Sequence, residues 1–180
     1  MVQGLDKFGI WFQDHKDKYV IIGGTACTIN FQDIGEDFRA TKDIDMVLIV
    51  EALDKVFGEL FWSFINEAEY EIRQKSDARE LYRFKNPKDQ SYPKEIELFS
   101  SIPEGLIFKG DGSITPLPID DDISSLSAIL LNEDYYKLLL NGKVEKINFP
   151  VIQPWCLILF KIKAWLDYTE KKSSRKRRFK

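Results

Sequence analysis

The sequence predicts an α/β (α+β) domain in which a mixed β-sheet is flanked by helices, and three observations carry that prediction. Short Val/Ile-rich runs at residues 19–22 and 44–50 alternate with stretches of helical periodicity, as strands joined through helices do. Hairpin-like pairs of short strand candidates fall between Glu71 and Ser100, which brings antiparallel neighbours into the sheet. Residues 154–170, PWCLILFKIKAWLDYTE, form the clearest late helix, with Pro154 in the first turn, where a missing N–H is tolerated.

The elements follow in order. Residues 3–16 place Leu5, Phe8, Ile10, Trp11 and Phe12 at roughly helical spacing and give a first helix. Tyr19 to Ile22 is a buried strand closed by Gly23-Gly24, and Thr25 to Gln32 is helical. The polar stretch DIGEDFRATK, residues 33–42, is a loop, and Ile44 to Val50 is a central strand. In residues 51–70, Leu53, Val56, Phe57, Leu60, Phe61, Phe64 and Ile65 line one stripe of a helix. Glu71 to Arg73, Glu80 to Lys85 and the segment KEIELFSS supply further strands. Between Ile102 and Phe149, glycines, prolines and the run Asp120-Asp121-Asp122 break the pattern into segments of no settled type.

Length and composition narrow the function. At 180 residues the chain suits one domain with its own core, and no apolar run nears the ~20 residues of a membrane helix. The N-terminus carries Asp6, Asp14 and Asp17 and reads as an amphipathic helix rather than an export signal. Cys27 and Cys156 are far apart in apolar settings, so reduced thiols in the cytoplasm are expected rather than a disulfide or thiolate metal site. His15 is the single histidine, which removes His-rich metal sites and a Ser-His-Asp arrangement; metal chemistry here must use oxygen ligands. The net charge is −3, yet residues 171–180, KKSSRKRRFK, hold seven basic side chains; removing them leaves −10 for the rest. Such a tail binds RNA or an acidic partner, or is a solvated helix end.

Two stretches bear on chemistry. A strand running through Gly23-Gly24 into a helix aims bare N–H groups and a positive dipole end at one point, with the Thr25 hydroxyl beside it. A phosphate fits there; so does a plain tight turn. Asp43 and Asp45 lie two apart in a strand, so their side chains share a face, and like charges held so close call for a cation. Solvation of a strand end is the competing account. The strand KEIELFSS offers Glu95 and Glu97 by the same alternation, with Glu97 where the strand turns apolar and Glu95 as the solvated member. Three carboxylates from neighbouring strands can hold two divalent ions roughly 3.5–4 Å apart. Lys161 and Lys163 interrupt the late helix and either reach triphosphate oxygens or snorkel to solvent.

In sequence order, Ile22-Gly23-Gly24, Asp43-Ile44-Asp45 and Ile96-Glu97-Leu98 resemble the polymerase-β-like nucleotidyltransferase superfamily. The segments IGGTACTI, RATKDIDMVL and LILFKIKAWLD are closer still to its AbiE-type toxin branch, over residues 19–170. The resemblance implies a nucleotidyltransferase fold over residues 1–150 with a C-terminal helix and basic tail at 151–180. It also implies catalytic and Mg²⁺-binding roles for Asp43, Asp45 and Glu97, with two ions bound. Gly23, Gly24 and Thr25 would hold the nucleoside triphosphate, and Arg39, Thr41 and Lys161 would be secondary contacts. The interval from Gly24 to Asp43 is longer than usual and implies an extended helix or an inserted loop at DIGEDF; the third acid is Glu rather than the commoner Asp.

The implied activity is Mg²⁺-dependent transfer of a nucleoside monophosphate from an NTP to an acceptor hydroxyl on RNA, tRNA or protein. By analogy alone it suggests a toxin–antitoxin setting with an antitoxin protein as partner, and no membrane. The alternative is a catalytically inactive module of the same fold that binds nucleotide or a partner protein.

Overall fold

A computed structural model of the chain describes residues 2–39, 41–72, 83–99 and 132–178. The strand candidates at 73 and 80–82, and residues 102–131 of the unassigned interval, lie outside the described residues. Helix α1 (Leu5–Trp11) leads to strand β1 (Tyr19–Ile22), helix α2 (Gly23–Gln32) and strand β2 (Asp43–Leu48). Helix α3 (Lys55–Glu67) follows, then β3 (Glu71–Ile72), β4 (Arg83–Lys85) and β5 (Glu95–Phe99). Helix α4 (Glu133–Asn141), β6 (Lys143–Lys146), β7 (Phe149–Ile152) and α5 (Pro154–Arg178) complete the order.

The seven strands among the described residues form one mixed sheet in the order β3-β4-β5-β2-β1-β7-β6. β1 runs antiparallel to β2, with Ile22 opposite Asp45, whereas β2 runs parallel to β5, with Asp43 beside Glu95 and Asp45 beside Glu97. β4 returns antiparallel on β5 and sets Arg83 against Glu97 and Lys85 against Glu95. Alternation along these strands separates two faces. Ile44, Ile96 and Phe84 stand in one row and are fully buried, while the acids and bases between them are half-buried on the other face.

The apolar face is closed by α1 and α3 through aromatic packing. Phe64 on α3 meets Phe8, Trp11 and Phe12 from the N-terminal segment and Tyr70 and Tyr92 from the sheet side, with centroids 4.8–6.4 Å apart. Phe61 and Trp62 close on Phe84 of β4. Asp54 caps α3, its carboxylate accepting the Phe57 N–H at 2.8 Å, so the stripe enters the core at a fixed angle. On the opposite face α2 packs on β1, β2 and β7, and α5 packs on α2. Asn30 of α2 is buried there and donates to the Ala26 and Ile152 carbonyls, tying α2 to β7.

Several boundaries differ from the sequence reading. The first helix stops at Trp11 and a 3₁₀ turn takes Gln13–His15. α2 begins at Gly23, not Thr25, and β2 is Asp43–Leu48 rather than Ile44–Val50, because the ladder to β5 starts at Asp43. Val56 on α3 and Ile10 on α1 fall off their stripes and are exposed. The long Gly24–Asp43 interval is a ten-residue helix followed by turns and loop. Cys156, Leu157 and Phe160 of α5 are buried in the same core as β7. The helix at 154–170 continues to Arg178, with Trp155, Ile158, Leu159, Ile162, Trp165, Leu166 and Tyr168 exposed along it. No helix among the described residues is long and apolar enough to cross a membrane.

Phe64 therefore ties three elements with one ring. Phe64→Ala is expected to lower unfolding free energy by about 3–5 kcal/mol in denaturant titration, with an unchanged slope. A loss below about 1 kcal/mol would mean that the aromatic cluster does not hold α1 to the sheet.

Candidate functional site

Gly23-Gly24-Thr25 and Thr41, Asp43 and Asp45 meet residue by residue. Gly23 has φ +65°, and a Cβ there would lie 2.0 Å from Asp45 Oδ2. A Cβ on Gly24 would lie 2.8 Å from Thr41 Oγ1. Thr25 is fully buried, and its hydroxyl donates to the Asp43 carbonyl at 2.6 Å. The glycines are thus required by the approach of β2, and the Thr25 hydroxyl proton is engaged on the backbone.

This packing places the Asp45 carboxyl beside the start of α2. The residue before the helix, Ile22, offers no side-chain cap, so the first N–H groups of α2 depend on other partners. Positive dipole charge at this end favours an anion, and Asp45 already supplies part of it.

β2 and β5 add their acids on the same face: Asp43, Asp45, Glu95 and Glu97. β4 neutralises the β5 pair. Arg83 Nη2 lies 2.5 Å from Glu97 Oε1, and Lys85 Nζ lies 2.8 Å from Glu95 Oε1. Arg83 Nε comes within 3.2 Å of Glu95 Oε1 but lacks hydrogen-bond alignment, leaving a buried N–H without an acceptor among the described residues. Within the same residues, no lysine or arginine is at ion-pair distance from Asp43 or Asp45.

The acids feel this crowding. Burial, then the charges of Asp43 and Glu95, push the Asp45 carboxyl up to about 6, with Arg83 pulling the other way. Burial pushes Glu97 up, Arg83 draws it back, and Asp45 and Glu95 push it further, to about 7. The direction holds for Glu97 because three unfavourable influences face one guanidinium.

By donor type, these residues suit a hard divalent cation, since carboxylate oxygens are what Mg²⁺ takes. As arranged, however, no three His, Cys, Asp or Glu side chains among the described residues converge into a metal-holding group. Asp43 and Asp45 have no ion-pair partner among the described residues; Glu97, the expected third acid, is held by Arg83.

Thr41 lies against Gly24, beside the glycine turn. Arg39 and Lys161 do not contact the acids. Both are exposed, and their charges act on Cys27, one turn along α2, where they oppose the upward push of burial on its thiol. Arg83 and Lys85 were missed by sequence reasoning. Their signal was present: Arg-Phe-Lys at 83–85 is the charge complement of Glu-Ile-Glu at 95–97 across a hairpin.

Comparison of the chain with protein-family models, with curated proteins and with solved structures finds no match.

Two outcomes follow for stability. Gly23→Ala forces a left-handed φ on a residue with a Cβ, a cost of about 1–2 kcal/mol, and displaces Asp45 as well. In an Asp45→Ala background the loss should shrink by roughly 1 kcal/mol in a double-mutant cycle; additivity would show that the two residues do not touch.

The second concerns pH. Asp45 and Glu97 have folded values above their ordinary 3.8 and 4.5, so the folded state binds extra protons. Their contribution is fully present below those ordinary values and is lost as pH rises through about 6 and about 7. With EDTA present, the chain should melt higher at pH 5.5 than at pH 7.5, and Asp45→Asn should flatten that difference. A melting temperature that rises with pH over this window would contradict the assigned shifts.

Proposed function

We propose that this chain is a Mg²⁺-dependent nucleotidyltransferase that moves a nucleoside monophosphate from an NTP to an acceptor hydroxyl, releasing pyrophosphate. The observation that carries the reading is the Asp43–Asp45 pair, without a cationic partner among the described residues, with Asp45 packed against the glycine turn at the start of α2 and β5 beside it. Its support is topological too: Ile22, Asp43-Ile44-Asp45 and Glu97 fall on consecutive neighbours in the sheet, β1, β2 and β5, and Gly23-Gly24 open α2 directly after β1.

The parts divide as follows. The first N–H groups of α2 receive phosphate oxygens, with the Asp45 carboxyl and the Thr41 hydroxyl packed where side chains on Gly23 and Gly24 would stand. Asp43 and Asp45 hold the cation; Thr41, packed on Gly24, sits where it can donate to a phosphate. Thr25 acts one step back, fixing the Asp43 backbone rather than touching nucleotide. The divalent ion, when bound, neutralises phosphate charge and polarises the reacting oxygens. The acceptor is RNA, tRNA or protein, as the basic segment at 171–180 suggests, in a cytoplasmic toxin–antitoxin setting that rests on analogy.

A second reading has its own observation. Arg83 occupies Glu97, and a chain that has replaced a bound cation by an arginine would keep the fold and bind nucleotide or an antitoxin-like protein without chemistry. Mg²⁺-dependent thermal stabilisation by NTP favours the enzyme; stabilisation without metal dependence favours the module.

Incubation with each labelled NTP, Mg²⁺ and total RNA or lysate should label one class of acceptor. Asp43→Asn and Asp45→Asn should each reduce labelling by about a hundredfold or more, the scale of a lost cation ligand. Because the native acids repel, Asp45→Asn should also melt no lower than wild type at pH 7.5. Labelling that persists in both variants would remove the assignment.

A further inference from the structure

We propose that Arg83 is the resident cation of the acidic face: it holds Glu97 while no divalent ion is bound, and it must release Glu97 before that carboxylate can serve as a third ligand. The inference rests on the reading of Asp43 and Asp45 as cation ligands and adds what sets their affinity.

Four carboxylates, Asp43, Asp45, Glu95 and Glu97, share the face with two cations, Arg83 and Lys85. When all are ionised the deficit is two positive charges, the charge of one divalent ion. The two cations differ. Lys85 is seated squarely on Glu95, which removes Glu95 as a replacement ligand. Arg83 is held unevenly: Nη2 pairs with Glu97 at 2.5 Å, while Nε lies 3.2 Å from Glu95 Oε1 without hydrogen-bond alignment, a carboxylate that Lys85 already engages. Its side chain is 39% exposed, so it has an open path away from Glu97, whose own side chain is 18% exposed. A guanidinium that makes one aligned contact to Glu97, with its Nε–H out of line with Glu95, holds Glu97 less firmly than a bidentate pair would. The register Arg83 opposite Glu97 fixes this contact in the backbone, so it is a built feature of the hairpin.

Arg83 is a positioning residue on this account, acting through Glu97. Its test is Mn²⁺ binding, followed by the loss of the free-ion electron spin resonance signal, without any turnover. Arg83→Gln should bind Mn²⁺ roughly tenfold tighter than wild type, since a tenfold change corresponds to about 1.4 kcal/mol, within reach of one half-buried charge contact. The gain should vanish in a Glu97→Gln background. Arg83→Lys, which keeps the charge and loses the fork, should fall between wild type and Arg83→Gln, and it serves as the second reading where Arg83→Gln does not fold. Equal or weaker binding by both Arg83 variants, with Asp45-dependent binding in wild type, would overturn the role of Arg83 alone. A gain undiminished by Glu97→Gln would do the same. Absence of Mn²⁺ binding in wild type and variants would overturn both this role and the cation reading beneath it.

Discussion

The contact of Gly23 with Asp45 governs the rest of this structure. β1 and β2 are adjacent antiparallel strands, and α2 leaves β1 at the point where the Asp45 side chain rises from β2. Only a residue without a Cβ, able to take φ +65°, lets the helix start there. The next two residues repeat the accommodation, Gly24 against Thr41 and Thr25 onto the Asp43 carbonyl. Three consecutive residues are thereby fastened to three alternate ones. The helix N-terminus and the acid pair arrive at one place as a result of packing, before any ligand is considered.

Charge then divides the face in two. β4 supplies Arg83 and Lys85 to β5, so Glu95 and Glu97 are compensated within the hairpin. β2 receives no such partner among the described residues, and burial, with the charges of Asp43 and Glu95, pushes the Asp45 carboxyl up to about 6. A fold selected for stability alone would place an amide or a lysine here. The aromatic packing of Phe64 and Phe61 on the far face supplies the stability that lets this acidic face persist.

Much of this was legible in the sequence. Alternation put Asp43 with Asp45 and Glu95 with Glu97, and apolar stripes located α3 and the start of α5. What alternation cannot give is which strand lies beside which: that Glu97 neighbours Asp45 depends on a parallel pairing across α3 and a hairpin. Arg83 was hidden for the same reason, since its partner is set by hairpin register, not by spacing. Thr25 read as a ligand donor because a hydroxyl at a helix start has two uses, and burial decides between them. Lys161 depended on the rotation of α5 about its axis, which the buried trio Cys156, Leu157 and Phe160 fixes with Lys161 outward. The helix α4 and strands β6 and β7 emerged from a stretch where glycine and proline had obscured the period; Asn132, accepting the Asp134 N–H at 2.9 Å, marks the helix start.

Carboxyl ¹³C titration of Asp45 by NMR, run without metal and again with Mg²⁺ and a non-hydrolysable NTP, bears most directly on whether this acid is held in wait for a cation. The account predicts a titration near pH 6 in the free protein and a fall of more than about one unit when Mg²⁺ and nucleotide are present, as an adjacent cation demands. An Asp45 that titrates near its ordinary 3.8 and does not respond to either addition would contradict it.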